Sequence, residues 1–277
     1  MADTPIYLSS AQRSNLFSTQ QLNEARTESA YRLSTGRRVN RIYDEPVDYF
    51  RAKALIDRVS DLGNVQGSVE VGRSTLQATD IGLEAIEQFS RQLIGIATSA
   101  QSTESTTERE ALAEQFNEIR AQIDNLASDT SFLGVNLLTT STARLNTRLG
   151  DGDGSTLTSE AGDTRVAALG IGDANADYNG FATLSDITNA IGDVRLAIDT
   201  VRSTQADFST DIAILNVRDG YTEDVRQINQ TGADQLTNAD LNLEAAVQLS
   251  AQIRSDLSFQ GQRILAQGDS LLLGLFQ

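Results

Sequence analysis

One register of apolar and small residues runs from Leu55 through Val59, Leu62, Val69, Leu76, Leu83, Ile86 and Leu93 to Ala97, and no proline interrupts the chain between Pro46 and Ala100. Only a helix keeps positions three and four apart on a single face over such a length. About six heptads at about 1.5 Å per residue make a rod of about 80 Å. One thin seam cannot stabilise a free helix, so this rod needs partners lying along it. Gln66, Gly72, Thr79 and Ser90 fill the gaps in the register. Gly63, Gly67, Gly72, Gly82 and Gly95 lower intrinsic propensity; the alternative reading is that they admit close helix contacts.

Two further helices have matching seams. Thr107 and Glu110 form a capping box ahead of Leu112, Phe116, Ile119, Ile123 and Leu126, and the helix stops near Asp129. Phe132 to Leu138 then reads as a turn into extended chain. A third helix starts at Leu184 and carries Ile187, Ile191, Val194, Ile198, Val201, Phe208, Ile212 and Leu215 towards Asn229, with Gly232 marking a connector. Between them, residues 139–180 are dense in Thr, Gly and Asp, and Thr142–Leu149 and Arg165–Ile171 read as strands around turns. Asp151-Gly152-Asp153-Gly154-Ser155 suits a hairpin turn better than a metal loop, because the twelve-residue calcium pattern wants glutamate where Gly162 stands.

Both chain ends carry apolar stripes. Near the N-terminus these are Ile6, Leu8, Ala11, Leu16, Leu22, Ala25, Ala30 and Leu33; near the C-terminus they are Leu243, Val247, Ile253, Leu257, Ile264, Leu271 and Leu275, followed by Phe276. Free ends are normally polar, so ends this apolar need a partner: each other, as a short antiparallel coil, or a larger bundle. Between the first stripe and the rod, Gly36 suits a helix stop and Pro46 the first turn of the next helix. Arg37, Arg38 and Arg41 cluster in that loop and suit an interface with acidic neighbours. The fold class is mainly α: long antiparallel rods with a small β-hairpin region and paired terminal helices.

Composition removes several function classes. The 277 residues contain no Cys, His or Trp, and Lys53 is the sole lysine. Without Cys and His there is no thiol nucleophile, thiolate metal site or ordinary neutral-pH base, and no glycine-rich phosphate loop or carboxylate pair tied to a pocket points to an enzyme or a cofactor. A net charge of −16 argues against nucleic acid and anionic membrane surfaces. No apolar run is long enough to span a bilayer, and the first ten residues lack the basic flank and apolar core of a cleaved secretory signal.

Several segments are similar to bacterial flagellin: Leu8-Ser-Ser-Ala-Gln-Arg-Ser-Asn-Leu16, Arg32-Leu-Ser-Thr-Gly-Arg-Arg-Val-Asn40 leading to Asp44-Glu-Pro46, Phe116 to Leu126, Asp129 to Leu138, and Leu249 to Phe276. These cover nearly all of the chain except 139–180, and Asp44-Glu-Pro46 with Tyr49-Phe50 resembles the alphaproteobacterial branch. The resemblance implies an exported, self-assembling subunit of the extracellular flagellar filament. It divides the chain into an inner domain made of 1–43 and 231–277, a rod made of 44–138 and 181–230, and a hairpin region at 139–180 where other members insert outer domains.

By the same resemblance, Leu8, Leu16, Leu22, Leu33 and the C-terminal stripe line the inner core. Leu55, Val59, Leu62, Leu76, Leu83, Leu93, Phe116, Ile119, Ile123, Ile191, Ile198, Phe208 and Ile212 pack the rod, and Arg37, Arg38 and Arg41 form a spoke-loop interface. Implied partners are further copies of the chain, sibling flagellins, hook-associated and cap proteins, and an export chaperone at the C-terminal helix, with passage through a type III apparatus. The family's innate-receptor patch falls where this chain has Arg91, Gln92, Ile94 and Gly95, which implies weak or no recognition. In the monomer the end helices are expected to stay largely disordered. A hook–filament junction protein of the same superfamily and a soluble helical adaptor are the alternatives.

Overall fold

A computed structural model describes residues 10–150, 152 and 154–275, with the side chains at 11, 265, 266 and 268–275 outside that description. In chain order the elements are α1 (Ser10–Thr35), α2 (Pro46–Ser102), α3 (Thr106–Asp129), β1 (Arg144–Arg148), β2 (Thr156–Glu160), a 3-10 turn (Asn179–Phe181), α4 (Leu184–Thr237) and α5 (Leu241–Leu275). They form two compact units, one of Arg58–Gln227 and one of Met1–Asp57 with Ile228–Gln277, so the division falls inside α2 and α4.

In the unit of Arg58–Gln227 the heptad seam is the core. Val65, Val69, Leu76, Leu83, Ile86, Leu93 and Ala97 of α2 are buried with Ala113, Phe116, Ile123 and Ala127 of α3, and with Ile187, Ile191, Val194, Ile198, Val201, Phe208 and Leu215 of α4. Leu62 is also buried, whereas Val59, Ile119 and Ile212 are half-buried at the margins. Each large side chain taken out of water here contributes about 2 kcal/mol. Polar pairs flank the seam in antiparallel order: Gln66 with Glu223 at 2.9 Å, Arg73 with Asp219 at 3.3 Å, Asp80 with Gln205 at 2.9 Å, and Glu87 with Arg202 at 2.7 Å.

The hairpin pairs Arg144 with Glu160 through Arg148 with Thr156. It packs on α2, where the Arg148 amide donates to Ser68 Oγ at 3.0 Å. Gly72 makes room for this, since a Cβ there would lie 2.3 Å from Thr147 Oγ1. Gly82 admits Thr130 and Leu138 in the same way, whereas Gly63, Gly67 and Gly95 face open space. Two of the five glycines therefore accept close contacts, and the segments they accept are the hairpin and the chain after α3.

Four local expectations change. The α3 cap is Ser105, whose hydroxyl accepts the Glu108 amide; Glu108 in turn takes the Thr103 hydroxyl, so the capping exchange sits two residues before Thr107 and Glu110. Arg165–Ile171 is a turn, because the Ala168 and Leu169 amides both return to the Arg165 carbonyl at 2.9 Å and Gly170 has φ +72°. Val166, Leu169 and Ile171 consequently reach the same core, where a strand would have split them between two faces. The second strand is the more polar Thr156–Glu160. Finally, α4 continues through Gly232 to Thr237, where Leu55 Cδ1 sits 3.3 Å from the place of a Cβ, and the connector shrinks to residues 238–240.

The segment between β2 and α4 is held to α3. The Arg120 Nε donates to the Ile171 carbonyl at 3.0 Å, and Asp124 accepts the Val166 amide at 2.8 Å. The Phe116 ring stands edge-on to Phe181 at 5.4 Å and to Tyr178 at 6.2 Å. The Tyr178 hydroxyl donates to Asp193 at 2.8 Å and accepts the Gly172 amide at 2.9 Å. Burial, with the hydrogen bond to Asp193 second, raises the Tyr178 pKa from 10.0 to about 12.

Two outcomes follow for the rod. Gly72→Ala should destabilise the protein by about 1–3 kcal/mol, because Thr147 is β-branched and buried and cannot yield; Gly67→Ala should stabilise by up to about 1 kcal/mol. Thermal unfolding followed by circular dichroism separates them, and equal melting temperatures would show that the hairpin does not press on Gly72. The raised Tyr178 pKa favours the neutral phenol in the folded state, so its contribution is complete below pH 10 and is lost between 10 and about 12. In an ultraviolet titration one of the six tyrosines should ionise only near 12, and Tyr178→Phe should remove that step.

Candidate assembly surface

In the unit of Met1–Asp57 with Ile228–Gln277, α1 and α5 pack antiparallel. Gly36, at φ +68°, ends α1 in the left-handed conformation that costs glycine least. The chain beyond it bonds to the end of α4: the Arg38 and Val39 amides donate to the Thr237 carbonyl at 2.7 and 3.1 Å, and Ala239 N–H donates to the Gly36 carbonyl at 3.0 Å. Val39 is buried beneath this exchange.

The loop arginines are engaged largely by their own chain. Arg38 pairs with Glu45 and with Asp48 at 3.1 Å, and also donates to the Leu236 carbonyl at 3.1 Å. The hydrogen bond from Arg38 holds the Asp48 carboxyl below its usual pKa. Arg41 lies over the Tyr31 ring at 5.3 Å and the Tyr43 ring at 5.7 Å. Arg37 is exposed, and its backbone bridges to Asn238. Asp44 accepts the Asn40 and Arg41 amides at 2.9 and 2.8 Å, and these two bonds lower its pKa.

The α1–α5 contact is made by small and polar residues. Thr19, Ser29, Glu244, Ala251 and Ser255 are buried, and Leu22, Ala25 and Leu33 are half-buried beside them. The Thr19 and Ser258 hydroxyls meet at 2.8 Å, with Ser258 donating to Asn15. Leu22 and Ala25 with Ala246, Val247 and Ala251 border a groove of 370 Å³ between the helices. Within one chain the two apolar stripes therefore meet only at an edge, where Leu22, Ala25 and Val247 border the groove. On α5, Leu243, Leu249, Ile253, Leu257 (61% exposed) and Ile264 (68% exposed) face outward, as do Leu16 and Phe17 (67% exposed) on α1. Leu8 and Phe276 lie outside the described residues, as do the side chains of Leu271 and Leu275.

Periodicity finds both faces of α5 without saying which one the chain itself covers. Polar layers such as Thr19 with Ser258 and Ser29 with Glu244 supply most of the contacts between α1 and α5. Elsewhere, Glu87 accepts Arg91 at 2.8 Å as well as Arg202, and the first of these bonds is the main cause of its lowered pKa. Gln92 and Gly95 are exposed and Ile94 is half-buried.

Such a chain, with a helical rod, a hairpin and paired α1 and α5 that leave apolar side chains exposed, has recognisable relatives. Residues 7–143 match the family described as the bacterial flagellin N-terminal helical region. Flagellin FljK of Caulobacter vibrioides is 26% identical over 256 residues, covering 92% of each chain. The chain belongs to the bacterial flagellin family. Flagellin FljM of the same organism is 26% identical over 95% of this chain and 96% of its own. Phase 1 flagellin of Salmonella naestved is 24% identical over 81% of this flagellin but only 44% of its own length. Among solved structures, a putative flagellar hook-associated protein from Vibrio parahaemolyticus aligns at a TM-score of 0.60 and 11% identity over 70% of this chain and all of its own, a likeness of fold. As a flagellin, the chain is a structural subunit of the extracellular flagellar filament, not an enzyme. Among the described residues no helix is long and apolar enough to cross a membrane.

Proposed function

We propose that the outward faces of α1 and α5 are the surface on which this flagellin polymerises. The observation that carries the reading is the row Leu249, Ile253, Leu257 and Ile264, exposed on the side of α5 away from α1. Contiguous apolar surface of this kind marks an interface, and side chains of this size contribute about 2 kcal/mol each once fully covered. A subunit that buries one face of α5 internally and offers the other to neighbours makes heterologous contacts, which propagate a helical polymer. Leu8, Leu271, Leu275 and Phe276 extend the same stripes in sequence. In this reading residues 1–43 and 231–277 form the filament's inner layer, and 44–138 with 181–230 form the rod outside it.

Among the described residues the hairpin, a 3-10 turn and their connecting turns lie between α3 and α4, which supports a thin filament without outer domains. Export runs through the flagellar type III apparatus without a cleaved signal, and α5 is the segment an export chaperone would cover. Hook-associated and cap proteins, and sibling flagellins, would meet the same terminal faces. Innate-receptor recognition is weak: Arg91 and Arg202 already neutralise Glu87, and the neighbouring Gln92, Ile94 and Gly95 bring no charge. A receptor-reporter cell assay should stay near background, and a strong response would overturn that part.

For the polymer, Leu257→Asp and Ile264→Asp should abolish filaments when ammonium sulfate is raised, while leaving the helical signal and melting temperature of the rod unchanged. Truncation after Asp240 should also abolish filaments and keep the melting temperature of the rod, with the helical signal lowered by the loss of α5. Negative-stain microscopy of each, beside the parent, gives the answer; normal filaments from either substitution would remove α5's outward face from the assembly surface.

A further inference from the structure

The α1–α5 pair raises a question of register. A seam of hydroxyls and small residues can slide, because one hydroxyl layer resembles the next. The Thr19–Ser258 layer shows this degeneracy. Ser255, one turn away on α5, is buried with an unpartnered hydroxyl and could take the place of Ser258. Something less interchangeable must decide.

Glu244 is that group. It lies in the first turn of α5, and its side chain is 11% exposed. The Ser29 hydroxyl is 2.7 Å from its carbonyl oxygen and 2.8 Å from Oε2, and the Arg32 Nη1 donates to Oε1 at 3.0 Å. Arg32 is steered in turn by Glu28, at 2.5 Å. Asp240 fixes where the helix begins by accepting the Asn242 and Leu243 amides at 3.0 and 3.1 Å. The antiparallel pairing sets Ser29 against Glu244, so a slide of one heptad would set Leu22 there instead. A buried carboxylate facing leucine is heavily penalised, whereas a buried carboxylate held by a hydroxyl and a guanidinium is not. A single polar group inside a helical seam specifies register in this way at some cost in stability.

We propose that Glu244 is a positioning residue that sets the register of α5 against α1, and thereby sets the height along each terminal helix at which its outward apolar row is offered to the next subunit. The first part stands on the contacts alone; the second rests on the assembly surface proposed above. The chain contains no cysteine, so engineered pairs report register cleanly. Thr19→Cys with Ser258→Cys reads the observed register, and Thr19→Cys with Ala251→Cys reads a slide of one heptad. Mild oxidation of the full-length monomer, followed by non-reducing electrophoresis, gives the ratio of the two intramolecular cross-links.

In the parent the 19–258 product should dominate. Glu244→Leu should lower the ratio of 19–258 to 19–251 by about tenfold, the scale of one lost charged hydrogen bond, and Glu244→Gln, which keeps an acceptor for Ser29 and Arg32, should restore most of it. An unchanged ratio in Glu244→Leu would overturn the proposal, and so would loss of both products together, which would make the residue a general support of the pair. Leu257→Asp separates this from the assembly reading: it should keep the parental cross-link ratio whether or not it forms filaments.

Discussion

A helix with one thin apolar seam is stable only where something lies along it, and every part of this structure answers that constraint. Alpha-helical hydrogen bonds satisfy the backbone of α2 without fixing its place, so its position comes from burying Val65 through Ala97 against α3 and α4. The flanking pairs from Gln66–Glu223 to Glu87–Arg202 are partly solvated and add little energy, but they oppose sliding of the seam. Both the hairpin and the Phe116–Tyr178–Phe181 cluster act as side supports, covering stretches of seam that three helices alone leave open.

The terminal pair solves the same problem differently. Its internal seam is polar and its outer faces are apolar, the reverse of the rod. A pair built on Thr19, Ser29, Glu244, Ala251 and Ser255 gains little from burial and leaves its large apolar side chains exposed in the single chain. In the assembly proposed above, neighbouring subunits would cover that surface, whereas the rod buries its own seam within one chain.

Much of this was legible beforehand. The three long helices, their seam residues, the Gly36 stop and the Pro46 start follow from periodicity and from backbone chemistry that few residues can supply. What misled was local and polar. Arg165–Ile171 is a short apolar run between turn residues, like a strand, yet it turns with a left-handed Gly170 so that its apolar side chains share one core. Strand Thr156–Glu160 carries one leucine and so gave almost no signal. At Gly232 a residue that often ends helices is carried through because Leu55 packs on it.

Sequence alone therefore determined the rods, the apolar stripes at both ends and the family, since each depends on spacing along one chain. Only the tertiary structure decided which face of α5 meets α1, where the loop arginines point and which glycines admit a neighbour. Those answers depend on pairs far apart in the chain, such as Ser29 with Glu244, Arg38 with Leu236 and Gly72 with Thr147. Periodicity describes one helix at a time; choosing between two usable faces requires the partner.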